Sequence, residues 1–301
     1  MLVASRAVWF YLSKLFWPSD LIFIYPQWKI DPGSAVAYIG LIAAAATAAV
    51  IYFAHRFFGR GIEVAALFLL ATLAPVAGFV MLYTFRYTFV ADHYQYLASI
   101  GPIALASAGL VTLSRSSKTL QWPVVAGGFA ILICLGLLTW RQSATYRDLE
   151  TLWRTTIAKN PSCWMAYNNL GVVQFQKGDL DDAIEKYEQS LRLNPDYAEA
   201  RYNLGSALLQ KGKIDDAIAQ CQKALELGPN DPDAHVVLGN AFMARRDIDG
   251  AISQYTQALA LRAEDSNAHY NLATALREKG EFEQAGREYQ KAREFEPREE
   301  R

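Results

Sequence analysis

Cysteine, histidine and net charge are all scarce in this chain. Its 301 residues include 3 Cys and 4 His, and their spacing matches neither a metal site nor a disulfide framework. The net charge of −1 gives no support to nucleic-acid binding. A cleavable signal peptide is not expected either, because Arg6 and Lys14 interrupt the first apolar run and no small-residue cleavage site follows. We therefore expect no metal, no cofactor and no nucleic-acid partner.

The near-zero charge hides two unequal halves. Residues 1–142 carry nine Lys/Arg and four Asp/Glu, a net of about +5, whereas residues 143–301 carry twenty and twenty-six, a net of about −6. The first half is too apolar for a water-soluble domain of its size, and the second has the composition of a charged helical surface. This division predicts a membrane domain followed by a water-exposed domain.

Four uncharged apolar segments of 19 to 22 residues predict transmembrane helices, at 34–54, 64–85, 94–114 and 122–140. A helix rising about 1.5 Å per residue needs roughly 20 residues to cross the hydrocarbon. Residues 1–33, with their many aromatic side chains, predict an interfacial helix and a loop over the membrane surface.

Span number and charge predict the membrane orientation. An even number of spans places residues 1–33, the loop at 86–93 and the chain after residue 142 on one face. The short turns at 54–61 and 115–118 carry arginine and lysine, which favours the cytoplasm for the opposite face. We expect a multi-pass protein whose C-terminal domain is extracytoplasmic, either periplasmic or lumenal.

The loop after the second predicted span carries charged and aromatic side chains at the membrane boundary. These candidate site residues are Arg86, Tyr87, Asp92, His93, Tyr94 and Tyr96. An arginine there could hold a lipid phosphate by bidentate hydrogen bonds, and the rings could line a lipid or a sugar. The alternative is a structural pair of Arg86 with Asp92 that fixes the loop.

The second half of the chain repeats every 34 residues. Asn-Leu-Gly occurs at 169–171 and 203–205, and the equivalent positions hold Val-Leu-Gly at 237–239 and Asn-Leu-Ala at 271–273. Twelve residues further on, each unit has an alanine: Ala183, Ala217, Ala251 and Ala285. Small residues at fixed helical offsets allow two short helices to approach closely. The pattern resembles the tetratricopeptide repeat (TPR).

The TPR resemblance implies an α-solenoid with a right-handed superhelical twist, and a protein-binding role. The predicted repeats are 164–197, 198–231, 232–265 and 266–299, after a half repeat or junction at 143–163. The predicted fold is therefore all-α, with four transmembrane helices followed by the solenoid. The two histidines of the repeats, His235 and His269, are expected to pack in the core because neither has a metal-ligand partner at the right spacing.

One asparagine recurs on the first helix of three repeats, as Asn169, Asn203 and Asn271. Stacked repeats would align these carboxamides along a concave groove, where they could bond the backbone of an extended peptide. Asparagine is also common at this position of the repeat, so the alternative is a purely structural role. Val237 interrupts the series.

Residues 86–101, the stretch at 21–26 and the transition at 140–143 into the repeats together resemble the C-terminal portion of the transmembrane-and-TPR (TMTC) proteins. That resemblance implies a relation to GT-C glycosyltransferases, which transfer mannose from a polyprenyl-phosphate donor to protein hydroxyls. Their catalytic acidic residues lie in the first extracytoplasmic loop, and this sequence has no such loop. We therefore assign no catalytic residue and expect no transferase activity from the chain alone.

Three functions remain open at this point. The first is a membrane-anchored scaffold whose groove binds a polypeptide partner or acceptor. The second is a protein O-mannosyltransferase module that an upstream segment or a partner chain completes, with a polyprenyl-phosphate-linked sugar as the lipid partner. The third is a purely structural membrane scaffold.

Overall fold

The computed structural model describes residues 2–16, 24–25, 31–58, 64, 66–67, 100–116 and 118–296. These residues form helices and the turns between them, which confirms the all-α prediction. The chain divides into two compact units, Met1–Cys163 and Trp164–Arg301.

The first unit begins with a helix that packs on another helix. The helices of this unit whose bounds are described are Leu2–Phe16, Ile39–Phe58, Ile100–Ser116, Lys118–Ser143 and Leu149–Lys159, with short 3-10 helices at Ala35–Tyr38 and Ala144–Tyr146. The indole Nε1 of Trp9 donates to the carbonyl oxygen of Gly40 at 2.9 Å, and Ala7 and Tyr11 are buried. One face of the predicted interfacial helix is therefore covered by protein.

Two helices among the described residues are long and apolar enough to cross a membrane, Ala35–Phe53 and Gln121–Tyr146. They coincide with the predicted spans at 34–54 and 122–140. The predicted span at 64–85 lies outside the described residues except for positions 64, 66 and 67, and the span at 94–114 is described only from residue 100, in a helix of 17 residues. The structure thus describes two such helices where the sequence predicts four.

The second unit consists of four helix–turn–helix pairs. The pairs are Trp164–Lys177 with Leu180–Leu193, Ala198–Gln210 with Ile214–Leu227, Pro232–Ala244 with Ile248–Leu261, and Ser266–Lys279 with Phe282–Glu294. We call them repeats 1 to 4. Each pair lies within one 34-residue unit of the sequence.

Glycine allows the two helices of a repeat to approach closely. A Cβ on Gly171 would lie 2.6 Å from the ring of Tyr187, and one on Gly239 would lie 2.5 Å from the ring of Tyr255. Both rings are almost completely buried. The missing side chain therefore provides the space in which the aromatic ring packs.

The turn between the helices of each repeat contains one residue with positive φ. Glycine holds this position in three repeats, as Gly178 (φ 84°), Gly212 (φ 76°) and Gly280 (φ 90°). Repeat 3 has Arg246 there instead, with φ 67°. A side chain in this left-handed conformation is strained, so the third turn is less favourable than the others.

The repeats share a continuous core. One cluster joins Tyr187 of repeat 1, Leu204 and Cys221 of repeat 2 and Leu238 of repeat 3. Each repeat thus buries apolar side chains both between its own two helices and against the adjacent repeat.

Candidate functional site

The predicted lipid-phosphate residues lie outside the described residues. They are Arg86, Tyr87, Asp92, His93, Tyr94 and Tyr96. Their roles stay predictions. The site whose geometry is described is the surface of the first helices of the repeats, which carry the predicted asparagines.

Two of the three recurring asparagines bond to the preceding repeat, and the third bonds within its own helix. Asn203 Nδ2 donates to Asn168 Oδ1 at 3.0 Å, and Asn271 Nδ2 donates to Asn240 Oδ1 at 3.2 Å. Asn169 Oδ1 accepts from Asn168 Nδ2 at 3.4 Å. The three predicted residues are half-buried, and each belongs to a row of carboxamides that crosses a repeat boundary.

Other groups hold the acceptors of this row in place. Asn168 is completely buried, and its Nδ2 also donates to Glu199 Oε1 at 3.1 Å. Tyr197 Oη donates to the second oxygen of Glu199 at 2.6 Å. In repeat 3, Tyr255 Oη donates to Asn240 Oδ1 at 2.7 Å. The row is therefore preorganised by bonds that bring together residues from two or three helices.

The acidic residues beside this row have partners of their own. Arg262 bonds both oxygens of Asp233, at 2.8 and 3.1 Å, and also reaches Asp265 at 3.2 Å. Burial, together with the negative charges of Glu199, Asp231 and Asp233, raises the pKa of Tyr202 far above its ordinary value. Tyr202 thus stays neutral and remains a hydrogen-bond donor.

Both histidines of the repeats are buried and bonded through both ring nitrogens. His235 Nδ1 lies 2.8 Å from Gln254 Oε1 and its Nε2 3.2 Å from the Pro229 carbonyl oxygen. His269 Nδ1 lies 2.5 Å from Glu288 Oε2 and its Nε2 2.9 Å from the Ala263 carbonyl oxygen. Each side chain ties its repeat to the turn before it. Among the described residues no group of three His, Cys, Asp or Glu could hold a metal ion.

A comparison with protein families identifies the repeat unit. A model described as tetratricopeptide repeat matches residues 146–193, 176–232 and 236–299, which together make up half of the chain. The chain belongs to the tetratricopeptide repeat family. The first match begins at residue 146, within the stretch predicted as a half repeat.

Similarity to individual proteins is more limited. A stretch of 103 residues is 30% identical to protein O-mannosyl-transferase Tmtc2 of Drosophila melanogaster and covers 34% of this chain and 11% of that protein. The chain thus spans about a tenth of the length of this relative.

Two solved structures illustrate the structural similarity. MamA is 26% identical, with a TM-score of 0.45 over 52% of this chain and 91% of that chain. YrrB, described as a TPR protein with an unusual peptide-binding site, is 24% identical, with a TM-score of 0.42 over 54% of this chain and 82% of that chain.

The TPR register identified Asn169, Asn203 and Asn271 but missed Asn168 and Asn240. Asn168 precedes Asn169 directly, and Asn240 follows the glycine of repeat 3. Each occurs at its position in only one repeat, so the 34-residue period gives them no signal. Only the distance between adjacent first helices shows that they are the acceptors of the row.

Proposed function

We propose that this protein is a membrane-anchored TPR protein whose repeat unit binds a polypeptide along its first helices. The proposal joins an apolar helical unit, which needs a lipid environment, to a repeat family that provides an extended binding surface.

Exposed apolar side chains support the membrane anchor. Leu132 is 65% exposed and Trp140 77% exposed on the helix Lys118–Ser143, and the apolar windows of both long helices have no buried residue. An apolar surface of this size is unstable in water and stable in hydrocarbon. We propose four spans in all, with the repeats outside the cytoplasm, because an even number of spans and the basic turns favour that arrangement.

Labelling of a single cysteine tests the orientation. Asn230, in an exposed turn, is changed to Cys in a chain whose Cys134 and Cys163 are alanine. The buried Cys221 can stay, since burial raises the pKa of its thiol to about 12. A membrane-impermeant maleimide is expected to label intact cells or spheroplasts. Labelling only after the membrane is opened would reverse the proposed orientation.

The carboxamide row is the observation that carries the binding proposal. An asparagine amide has two hydrogens, and the bond between repeats uses one of them in Asn203 and in Asn271. The second hydrogen and the side-chain oxygen remain as a donor and an acceptor at a fixed spacing. A peptide backbone presents the complementary acceptor and donor at every residue.

Substitution of the row tests the proposal. The tightest binder of the purified full chain is first selected from a library of extended peptides. Changing Asn169, Asn203 and Asn271 together to Ala is expected to weaken that peptide about ten-fold or more, because each neutral hydrogen bond contributes about 0.5–1.5 kcal/mol.

The matched control changes three exposed glutamines of the second helices, Gln222, Gln257 and Gln290, to Ala. These removals delete the same number of carboxamides, and peptide affinity is expected to stay the same. An unchanged affinity in the asparagine variant, at equal helix content, would assign those residues a structural role only.

A second candidate function is participation in O-mannosyl transfer. It rests on the resemblance of residues 86–101 to TMTC proteins and on the name of the Drosophila relative. In this function Arg86 would hold a polyprenyl phosphate, with Tyr87, His93, Tyr94 and Tyr96 beside it. Another segment or chain would supply the catalytic acid.

A double-mutant cycle separates this candidate from the structural alternative. Arg86→Gln, Asp92→Asn and their combination are compared for thermal stability in detergent, with and without polyprenyl phosphate. Stabilisation of the native chain by the lipid, lost in Arg86→Gln, supports phosphate binding. Strong coupling between the two residues without any effect of the lipid supports the structural pair and a scaffold role.

A further inference from the structure

Repeat 4 differs from the other repeats at two positions of its outer face. The twelfth position of the repeat is Phe175, Leu209 and Met243 in repeats 1 to 3, and the twenty-eighth is Leu191, Leu225 and Leu259. All six side chains pack against the buried core clusters. Repeat 4 has Arg277 and Arg293 at these positions. The face that would pack a following repeat therefore carries two positive charges.

These arginines line an open cleft of about 500 Å³. We call it the terminal cleft, and its other relevant residues are Asn267, Tyr270, Tyr289 and Glu296. Tyr270 is 57% exposed, and its ring meets that of Tyr289 edge-on at 5.4 Å between centroids. Tyr289 Oη lies 3.1 Å from Thr274 Oγ1, which fixes the second ring. The cleft thus combines an ordered aromatic wall with guanidinium groups.

Neither arginine of the cleft takes part in an ion pair within the described residues, although carboxylates of the same repeat do. Glu278 pairs with Arg246 at 3.6 Å, and Glu288 accepts from Lys291 at 2.9 Å. Of the cleft's own residues, Glu296 carries the single negative charge against the two positive ones. Counted over the described residues, the cleft therefore carries more positive than negative charge, on a unit whose sequence is acidic overall.

A polar outer face on repeat 4 accounts for part of this pattern. Terminal repeats replace apolar outer residues by charged ones, which keeps the end of the array soluble. Solubility alone, however, gives no reason for an exposed tyrosine in the same cleft as two arginines that have no ion pair among the described residues. Phe282, on the same repeat, is also 70% exposed, whereas its equivalents in the other repeats are half-buried.

We propose that the terminal cleft binds an acidic peptide segment of another polypeptide, with an apolar side chain of that segment against Tyr270. Arg277 and Arg293 would each bond a carboxylate by paired N–H donors. The inference rests on the proposed function, because it takes the repeat unit to bind polypeptides. It uses residues that are separate from the asparagine row.

A peptide fits this cleft better than an anionic membrane does. A flat lipid surface cannot enter a concave site, and the acidic remainder of the repeat unit would be repelled by it. Glu296 at the rim adds to this repulsion and would favour a ligand with spaced rather than continuous negative charge.

Binding of defined peptides tests the inference. The full chain, in a neutral detergent, is titrated against a fluorescent peptide of alternating glutamate and phenylalanine residues, with anisotropy as the readout. The variant Arg277→Glu/Arg293→Glu is expected to bind at least about ten-fold more weakly. Arg277→Met/Arg293→Leu restores the residue types of the other repeats, and is expected to lose binding while the fold is kept.

The control variant is Arg192→Glu/Arg287→Glu. It makes the same change of charge on exposed second-helix surfaces, and its affinity is expected to stay within about two-fold of the original. A peptide with lysine in place of glutamate is expected not to bind. Anionic phosphatidylglycerol vesicles are expected to show no dependence on the two cleft arginines.

The inference is overturned if both arginine variants bind the acidic peptide as the unchanged chain does, or if the lysine peptide binds equally. Absence of saturable binding up to about 1 mM would also overturn it, since that corresponds to only about −4 kcal/mol. Vesicle binding that depends on the cleft arginines would assign the cleft to a membrane instead. Peptide binding that is lost only in the asparagine variant would keep the proposed function and exclude the terminal cleft.

Discussion

Glycines of the helix Lys118–Ser143 and glycines within the first helices of the repeats have opposite surroundings. On the helix Lys118–Ser143, an added Cβ at Gly127, Gly128 or Gly136 would meet no atom of the described structure within 4 Å. On the first helices of the repeats, the same atom at Gly171 or Gly239 would lie within 2.6 Å of a buried tyrosine ring. The same type of residue is thus free of contacts on one helix and tightly packed on the others.

This difference shows where each unit finds its packing partners. The repeats bury small residues against their own neighbouring helices, so a single added methyl group at these positions is expected to disturb the packing. The long apolar helices leave most of their side chains exposed, which is the reason for proposing that a lipid bilayer covers them. The predictions that follow test this contrast, starting with the largest expected effect.

A charge on the uncovered helix should be the most damaging change. Leu132→Arg places a guanidinium near the middle of Gln121–Tyr146, where membrane insertion is expected to cost about 2.5–3.5 kcal/mol. The fraction of chain that resists carbonate extraction from membranes measures the effect. Gln222→Arg, on an exposed helix of repeat 2, is the matched control and should leave this fraction unchanged. Equal extraction of the two variants would contradict a membrane anchor at this helix.

Adding one methyl group should separate the two kinds of glycine. Gly239→Ala forces the ring of Tyr255 to move and is expected to destabilise the repeat unit by about 1–3 kcal/mol. Gly128→Ala should cost nothing and could stabilise its helix by about 0.5–1 kcal/mol. Urea unfolding followed by circular dichroism compares the two variants. The packing argument fails if Gly239→Ala unfolds at the same urea concentration as the parent.

Removing the buried histidine of repeat 4 should have a smaller effect. His269→Ala removes the imidazole partner of Glu288 Oε2 and of the Ala263 carbonyl oxygen, and is expected to cost about 1–3 kcal/mol. His235→Gln, with Gln254 as its neighbour, is a milder comparison because both partners there are neutral. Calorimetric melting of the full chain at pH 7 gives both values.

The bonds of Glu288 predict that the stability of repeat 4 depends on pH. Burial alone would raise the pKa of Glu288, but hydrogen bonds from Lys291 and His269 outweigh it, and the net pKa lies below the ordinary value of 4.5. The ionised carboxylate therefore stabilises repeat 4 above about pH 4.5, and this stabilisation is lost as the pH falls through the lower folded pKa. Glu288→Gln should reduce the loss of melting temperature between pH 7 and about pH 3.5. An identical loss of melting temperature in parent and variant would show that Glu288 does not contribute to the acid sensitivity.

The smallest expected effect is a gain. Arg246→Gly relieves a left-handed conformation that costs a side chain about 1–2 kcal/mol, and the greater freedom of glycine in the unfolded chain opposes part of this. A net stabilisation of about 0.5–1 kcal/mol is expected in urea unfolding. Gly212→Ala, at the equivalent turn, should change stability in the opposite direction.

The 34-residue period made much of the repeat unit predictable. Leucine, glycine and alanine recur at the same positions because the two helices of every repeat pack in the same way. The helix pairs and the buried positions of His235 and His269 therefore follow from the sequence. Arg246 and the carboxamide acceptors Asn168 and Asn240 do not follow, since each departs from the repeat pattern. Their roles depend on the backbone conformation and on distances between helices, which the sequence pattern does not contain.

The apolar half was less predictable. Hydropathy found the helices at 39–58 and 118–143 within a few residues, because uncharged length is itself the signal. It gave no indication that Trp9 would bond Gly40, or that Asn160 Nδ2 would donate to the Ile24 carbonyl oxygen at 3.2 Å. The loop with Arg86 and Asp92 lies outside the described residues, and its role stays a prediction.

Each repeat packs directly on the adjacent repeats, and this has a consequence for how the protein could change in evolution. Ala224 and Ala258 hold equivalent positions at the ends of repeats 2 and 3, and Ala234 and Ala268 hold equivalent positions at the starts of repeats 3 and 4. All four are buried. Loss of residues 232–265, which form repeat 3, would therefore bring the end of repeat 2 against the start of repeat 4, and these two surfaces already match. The array can gain or lose length in whole units by unequal recombination, while repeat 1, which follows the apolar helices, and repeat 4, which has the terminal cleft, stay as they are.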